Sequence, residues 1–158
     1  MKIPSLAEIK KELSNLNDQE LKNLIIDLSK FSRENKSYLF FKLFERDNPQ
    51  IFVEMVQEEL ELEFSKHSTS NIHTAKKSAQ AIRRKLNKNL KLTKDVTAQI
   101  ELIAFFCKNM RAYGYLSFRH PVIENLYRIQ VGKIETLVKK LHEDLQYDYV
   151  SVLEDLKF

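Results

Sequence analysis

Turn-forming residues are too few in this chain to build a β-sheet. Glycine occurs twice and proline three times in 158 residues, whereas the strands of a sheet need turn signals about every 8–12 positions. Apolar residues recur instead at spacings of three and four, the period that buries one face of an α-helix. The sequence therefore predicts an all-α fold.

Start and stop signals divide the chain into helices with short connections. We expect one domain over residues 1–158, because a chain of this length can bury about 70% of its unfolded surface. The predicted architecture is an antiparallel bundle of about seven or eight helices, or alternatively an irregular superhelix of helix pairs. The predicted helices span residues 4–16, 17–31, 36–45, 49–65, 73–94, a segment that Thr93 caps and Gly114 ends, 121–145 and 148–158.

Several details of these helices are open to a structural test. Pro4 suits the first turn of the first helix, and Asn35 is expected to cap the third. The third helix is apolar almost all round, so it should lie between others, and the helix that Gly114 ends should be central. Gly132 costs about 1 kcal/mol inside a helix relative to alanine, which predicts a close helix crossing at that position.

The sequence favours a cytoplasmic protein without a membrane partner. A single cysteine, Cys107, excludes an intramolecular disulfide and suits a reducing compartment. The N-terminus lacks the apolar core of a secretory signal, and no apolar run approaches the ~20 residues of a membrane span.

No recognised catalytic or metal-binding pattern occurs. The four histidines lack metal-ligand spacing, and two glycines are too few for a phosphate-binding loop. Cys107 lies in an apolar stripe, as a core residue does. We therefore predict that the protein is not an enzyme and has no cofactor and no metal.

Basic residues are concentrated in one segment. Residues 64–94 contain nine Lys or Arg and no acidic residue, whereas the remaining 127 residues carry a net charge of −5. With about 100° per residue, four of these cations fall on the side of the basic helix 73–94 opposite its apolar stripe. The candidate anion or nucleic-acid patch is Lys77, Arg84, Lys88 and Lys91, with Lys94 beyond them.

An alternative interpretation neutralises much of this patch. The acidic helix 49–65 and the basic helix are expected to form a hairpin that turns at about Ser68. That register would place Glu63 near His73, Glu58 and Glu59 near Lys76 and Lys77, and Glu54 near Arg83. Only Arg84, Lys88, Lys91 and Lys94 would then remain uncompensated.

The connection before Pro121 is a second candidate site. Its aromatic and basic residues could bind a ligand or stack on bases, and the candidates are Tyr113, Tyr115, Arg119 and His120. Alternatively, these aromatic residues close one end of a helical core.

Four segments within roughly residues 5–115 follow a recognisable order: Leu13 to Leu28, Lys36 to Leu43, Glu58 to Phe64 and Ala75 to Leu86. In these segments the chain resembles a family of small bacterial helical proteins, domain of unknown function 6155. The resemblance implies an all-helical domain and supplies no activity, cofactor or catalytic residue.

The predicted function is a non-catalytic module that binds another protein, or a second copy of itself, through a helical face. The alternative is nonspecific nucleic-acid binding through the basic helix 73–94.

Overall fold

The computed structural model describes residues 3–45, 47–67 and 69–157. Every regular element in this part of the chain is helical, so the prediction of an all-α fold is confirmed. The contacts separate two compact units, residues 1–46 and 47–158, which are described in turn. The predicted hairpin position Ser68 and the final residue of the predicted last helix, Phe158, lie outside the described residues.

The first unit contains three helices, α1 (Leu6–Leu13), α2 (Asp18–Phe31) and α3 (Arg33–Phe44). Capping boxes start α1 and α2, where Ser5 and Asn17 each exchange hydrogen bonds with a glutamate three residues later. Helices α2 and α3 pack against each other, and the ring of Phe40 contacts those of Phe41 and Phe44.

Two predicted helix starts in the first unit are wrong. Pro4 precedes α1, because Ser5 accepts the hydrogen bond of the Glu8 amide and so occupies the capping position. Ser32 rather than Asn35 caps α3. The Asn35 side chain donates instead to the Leu28 carbonyl at the end of α2, 2.9 Å away.

The second unit is a bundle built around one central helix. Its elements are α4 (Ile51–Lys66), α5 (Ile72–Leu90), α6 (Val96–Ala112), a 3₁₀ turn (Tyr115–Phe118), α7 (Pro121–Val138), α8 (Glu143–Asp148) and α9 (Val150–Leu156). Helix α6 packs against α4, α5, α7 and α9, so its predicted central position is confirmed. Short connections make α6 antiparallel to α5 and to α7, so α5 and α7 run parallel to each other.

The predicted helix 121–145 is too long. Helix α7 ends at Val138, and His142 starts the separate helix α8 by accepting the Asp144 amide hydrogen bond. The Gln146 side chain also donates to the Leu141 carbonyl, 2.8 Å away, and thereby fixes this turn. A cap and a side-chain hydrogen bond therefore interrupt a continuous apolar pattern.

Gly132 does not mark a close helix crossing, so that prediction is wrong. No heavy atom lies within 4 Å of the position that a Cβ atom would occupy there. Gly132 lies instead along an open groove between α5, α6 and α7.

Candidate functional site

Helix α5 and the connection that follows it present the predicted cations to solvent. Asn71 caps it by accepting the Thr74 amide hydrogen bond, 3.0 Å away. The buried face carries Ala75, Ala79, Ile82 and Leu86. The exposed cations, called the basic patch below, are Lys77, Arg84, Lys88, Lys91 and Lys94.

The acidic helix α4 meets a different part of α5 from the one predicted. Lys85 lies 3.2 Å from a Glu59 carboxylate oxygen and 3.0 Å from one of Glu63. Asn89 donates to Glu59 over 2.9 Å. The predicted pairing of Glu63 with His73 is therefore wrong, and so is the neutralisation of the first half of α5.

The connection between α4 and α5 also contacts α6. The hydroxyl of Thr69, in the α4–α5 connection, donates to the Tyr113 carbonyl at the end of α6. The connection thus crosses to α6 before α5 begins, and the second half of α5 is the part that lies against α4.

The ion pairs at this crossing shift the pKa values of both partners. The hydrogen bond from Lys85 lowers the pKa of the Glu63 carboxyl. Burial opposes the charged form of Lys85, but hydrogen bonds to Glu63 and Glu59 outweigh it and raise the pKa of Lys85. Both groups are therefore charged at neutral pH.

Two cations of the basic patch line a shallow cleft. Lys77 and Arg84 are two turns apart on one side of α5, about 10 Å along its axis. They enclose a volume of about 520 Å³ together with His67, Thr74, Ser78, Gln80 and Ala81. Within the described ranges, neither cation has a carboxylate at ion-pair distance. This cleft has the charge and the side-chain donors to hold an anion.

The two tyrosines of the second candidate site are used in packing. Tyr115 is completely buried, and its hydroxyl lies 2.9 Å from the Ser78 Oγ. The ring of Tyr113 stacks on Phe64 with 5.5 Å between centroids, and its hydroxyl donates to Glu61. These contacts agree with the alternative interpretation, in which the aromatic residues close one end of a helical core. Because Tyr115 is completely buried, a ligand on the surface cannot reach it.

The other two residues of that site differ in their availability. The imidazole Nδ1 of His120 accepts the Val122 amide hydrogen bond and so caps α7. Arg119 is exposed and has a backbone φ of +47°, in the left-handed region. The structure therefore leaves Arg119 as the residue of this group that is free to meet a ligand.

The chemistry available elsewhere is limited. Within residues 3–45, 47–67 and 69–157, no three His, Cys, Asp or Glu side chains are grouped so that they could hold a metal ion. Burial raises the pKa of the Cys107 thiol to about 12, so this sulfur is protonated at neutral pH. No helix within the described ranges is long and apolar enough to cross a bilayer.

Sequence reasoning missed an apolar surface on the first unit. The stripes of α1 and α2 were expected to be buried, and α3 was expected to lie between other helices. In the structure Phe31 is 82% exposed, Leu6 68% and Leu43 62%. The N-terminal apolar surface consists of Ile3, Leu6, Ile9, Leu13, Leu24, Ile25, Ile26, Leu28, Phe31, Tyr38, Leu43 and Phe44.

Comparisons with protein-family models, with curated proteins and with solved structures give no match to this chain.

Proposed function

We propose that this protein is a non-catalytic interaction module that binds another protein through the N-terminal apolar surface. The observation that carries the proposal is the exposure of twelve large apolar side chains in the described part of the first unit, eleven of them on α1–α3. Their summed exposed area is on the order of 1,000 Å², about as much as one partner contributes to a protein–protein interface of standard size. Covering such side chains with a partner is favourable because it removes apolar area from water.

The charges around this surface also suit a protein partner. Residues 3–45 contain seven acidic and seven basic side chains, which balance. A balanced rim orients a partner without favouring a polyanion. A second copy of the chain or a different protein with an apolar helical face both fit this description.

The test compares two double variants of the full chain. Phe31→Ser with Leu43→Ser removes two of the most exposed apolar side chains, and because they are exposed the fold should be retained. Gln19→Ser with Lys36→Ser alters exposed polar residues on the same two helices and serves as the control. If the partner is a second copy, we expect the first variant to lose the self-association that light scattering detects for the wild-type chain. If the partner is a different protein, purified and shown to bind the wild-type chain, we expect the first variant to lose that binding. The proposal is wrong if both variants keep the same associations, or if the wild-type chain forms none.

Nucleic-acid binding through the basic patch is the second candidate. It is favoured by the register of α4 and α5, in which Glu59 and Glu63 contact Lys85 and leave Lys77 and Arg84 without a carboxylate at ion-pair distance among the described residues. Contacts of this kind go to phosphates, so affinity should fall steeply with salt, with a log–log slope of about −0.9 per phosphate.

A fluorescence-anisotropy titration over a salt series tests this candidate. Lys77→Glu with Arg84→Glu should weaken binding and flatten the salt slope by about two. Lys10→Glu with Lys11→Glu makes the same charge change on α1 and serves as the control. It should reduce the affinity for nucleic acid less than the first variant does. Absence of salt-dependent binding by the wild-type chain rules the candidate out.

The remaining sequence-based expectations stay proposals. We infer membership of the domain of unknown function 6155 family from the segments between residues 5 and 115. We infer a cytoplasmic location from the single cysteine, which suits a reducing compartment.

A further inference from the structure

The seam between the parallel helices α5 and α7 contains polar groups that packing does not explain. The Lys133 ammonium on α7 contacts the Asn87 amide oxygen on α5 at 3.4 Å. Leu137, one turn further along α7, lies with Leu90 of α5 at the wall of one groove. The spacing of three and four residues puts Gln130 on the same face of α7 as Lys133 and Leu137.

Three buried polar atoms, one on α5 and two on α7, have no hydrogen-bond partner among the described residues. Gln130 is completely buried, and neither atom of its amide is bonded. The Nε of Arg83 on α5 is also buried and unbonded. Arg83 precedes Asn87 by one turn, and Gln130 precedes Lys133 by nearly one turn, so the two side chains lie at about the same level of the seam. A buried polar group without a partner is costly, and native structures contain few of them.

The seam also contains two cations without a counter-ion. Burial lowers the pKa of Lys133, and the nearby positive charge of Arg83 lowers it further. Within the described residues, no carboxylate lies at ion-pair distance from either cation. Two positive charges near one another at a partly buried position attract an anion, and the Lys133 ammonium can donate hydrogen bonds to it.

An apolar groove of about 500 Å³ adjoins Lys133. Its volume is within the range of small-molecule sites, roughly 300–1,000 Å³. Gly132 leaves this groove open, because no side chain projects from α7 at that position. The groove is lined by Leu90, Gln99, Ile103, Ile129, Gly132, Lys133, Thr136 and Leu137.

We propose that this site binds an aliphatic carboxylate, with the carboxylate at Lys133 and the hydrocarbon chain along the groove beside Gly132. Among the described residues the two cations lack a counter-ion, which favours an oxyanion headgroup. The apolar walls of the groove favour a ligand with a hydrocarbon tail. The site involves neither the N-terminal apolar surface nor the cleft of Lys77 and Arg84. A result against either function proposed above therefore does not test this proposal.

The experiment titrates the full-length ¹⁵N-labelled protein with sodium decanoate below its micelle concentration and follows amide chemical shifts. Two compounds serve as controls: decanol has the hydrocarbon tail without the negative charge, and acetate has the negative charge without the tail. We expect saturable shifts from decanoate, confined to residues of α5, α6 and α7 around the groove. Binding of decanol and acetate should be weaker by about tenfold or more.

Variants separate the two halves of the site. Gly132→Leu should fill the groove and weaken decanoate binding about tenfold, whereas Gly132→Ala adds one methyl group in the same place and should change it far less. Lys133→Met keeps the length of the side chain, removes its charge and should abolish the preference for decanoate over decanol. The spectra of all three variants report whether the fold is intact.

Each alternative outcome overturns a stated part of the proposal. Equal affinity for decanoate and decanol overturns the oxyanion site. Unchanged decanoate binding by Gly132→Leu overturns the groove. Shifts that do not saturate, or that spread over the N-terminal apolar surface, show nonspecific detergent binding and overturn both.

Discussion

Replacing each of the two glycines by alanine is expected to change stability in opposite directions. Gly132 lies inside α7, and Gly114 joins α6 to the 3₁₀ turn. A Cβ atom added at either position meets no heavy atom within 4 Å. The two positions therefore differ in backbone conformation, because Gly114 has a φ of +76° whereas Gly132 is helical.

The magnitudes follow from that difference. Alanine is favoured over glycine in a helix interior by about 1 kcal/mol, so Gly132→Ala should raise the free energy of unfolding by about that amount. An L-residue in the left-handed region costs roughly 1–2 kcal/mol, so Gly114→Ala should lower the free energy of unfolding. For a chain of this size, 1 kcal/mol corresponds to a change in Tm of about 3 °C.

Urea unfolding of the full chain provides the measurement. Because the chain has two compact units, the signal should report the unit that contains both glycines. Near-UV circular dichroism does so through Tyr115 and Tyr127, which are both buried there. The midpoints should move in opposite directions while the m-values stay equal.

Two results would refute this reasoning. A destabilised Gly132→Ala variant would mean that a neighbouring helix does pack closely at Gly132, as the sequence first predicted. A neutral Gly114→Ala variant would mean that its backbone does not need the left-handed conformation.

Three further predictions concern the bundle of the second unit. Ser78→Ala should lower the free energy of unfolding by about 1–3 kcal/mol because it leaves the buried Tyr115 hydroxyl without its partner, and combining it with Tyr115→Phe should recover part of that loss in a double-mutant cycle. Cys107 should not react with Ellman's reagent at pH 8 in the native protein, since burial raises the pKa of its thiol, and rapid native reaction would contradict its burial. The pKa of Glu63 is lowered when folded, so its pairing with Lys85 should stabilise the protein above the ordinary carboxyl pKa of about 4.3 and lose that effect as pH falls through the folded value. Lys85→Met should accordingly cost up to about 1 kcal/mol at pH 7 and less at pH 3, as measured by urea unfolding, and a difference that does not depend on pH would contradict the ion pair.

Local chemistry explains which features of the fold the sequence predicts. The scarcity of glycine and proline excludes sheets, and Asn17 with Glu20 marks a helix start that the structure contains. The apolar character of α6 on several faces correctly predicts its central position. Each of these features depends on residues within a few turns of one another, and for that reason a single sequence is sufficient.

Features that depend on a distant part of the chain are not predictable in this way. A short connection predicts a hairpin in which Glu63 meets His73, but a hydrogen bond from Thr69 to Tyr113 redirects that connection. The partner of Glu63 becomes Lys85, just over three turns beyond the predicted contact at His73. The register of two helices is fixed by what the connection contacts, and connection length alone does not contain that information.

The same limit applies to the candidate sites. An amphipathic stripe such as Leu24, Leu28 and Phe31 identifies an apolar face but does not identify what covers it. On α5 the stripe is covered within the bundle and the cations are left outside, whereas on α1–α3 the stripes themselves are exposed. Identical sequence patterns therefore serve as core in one unit and as exposed surface in the other. An apolar face that the folded chain leaves uncovered is the reason to look for a binding partner first at α1–α3.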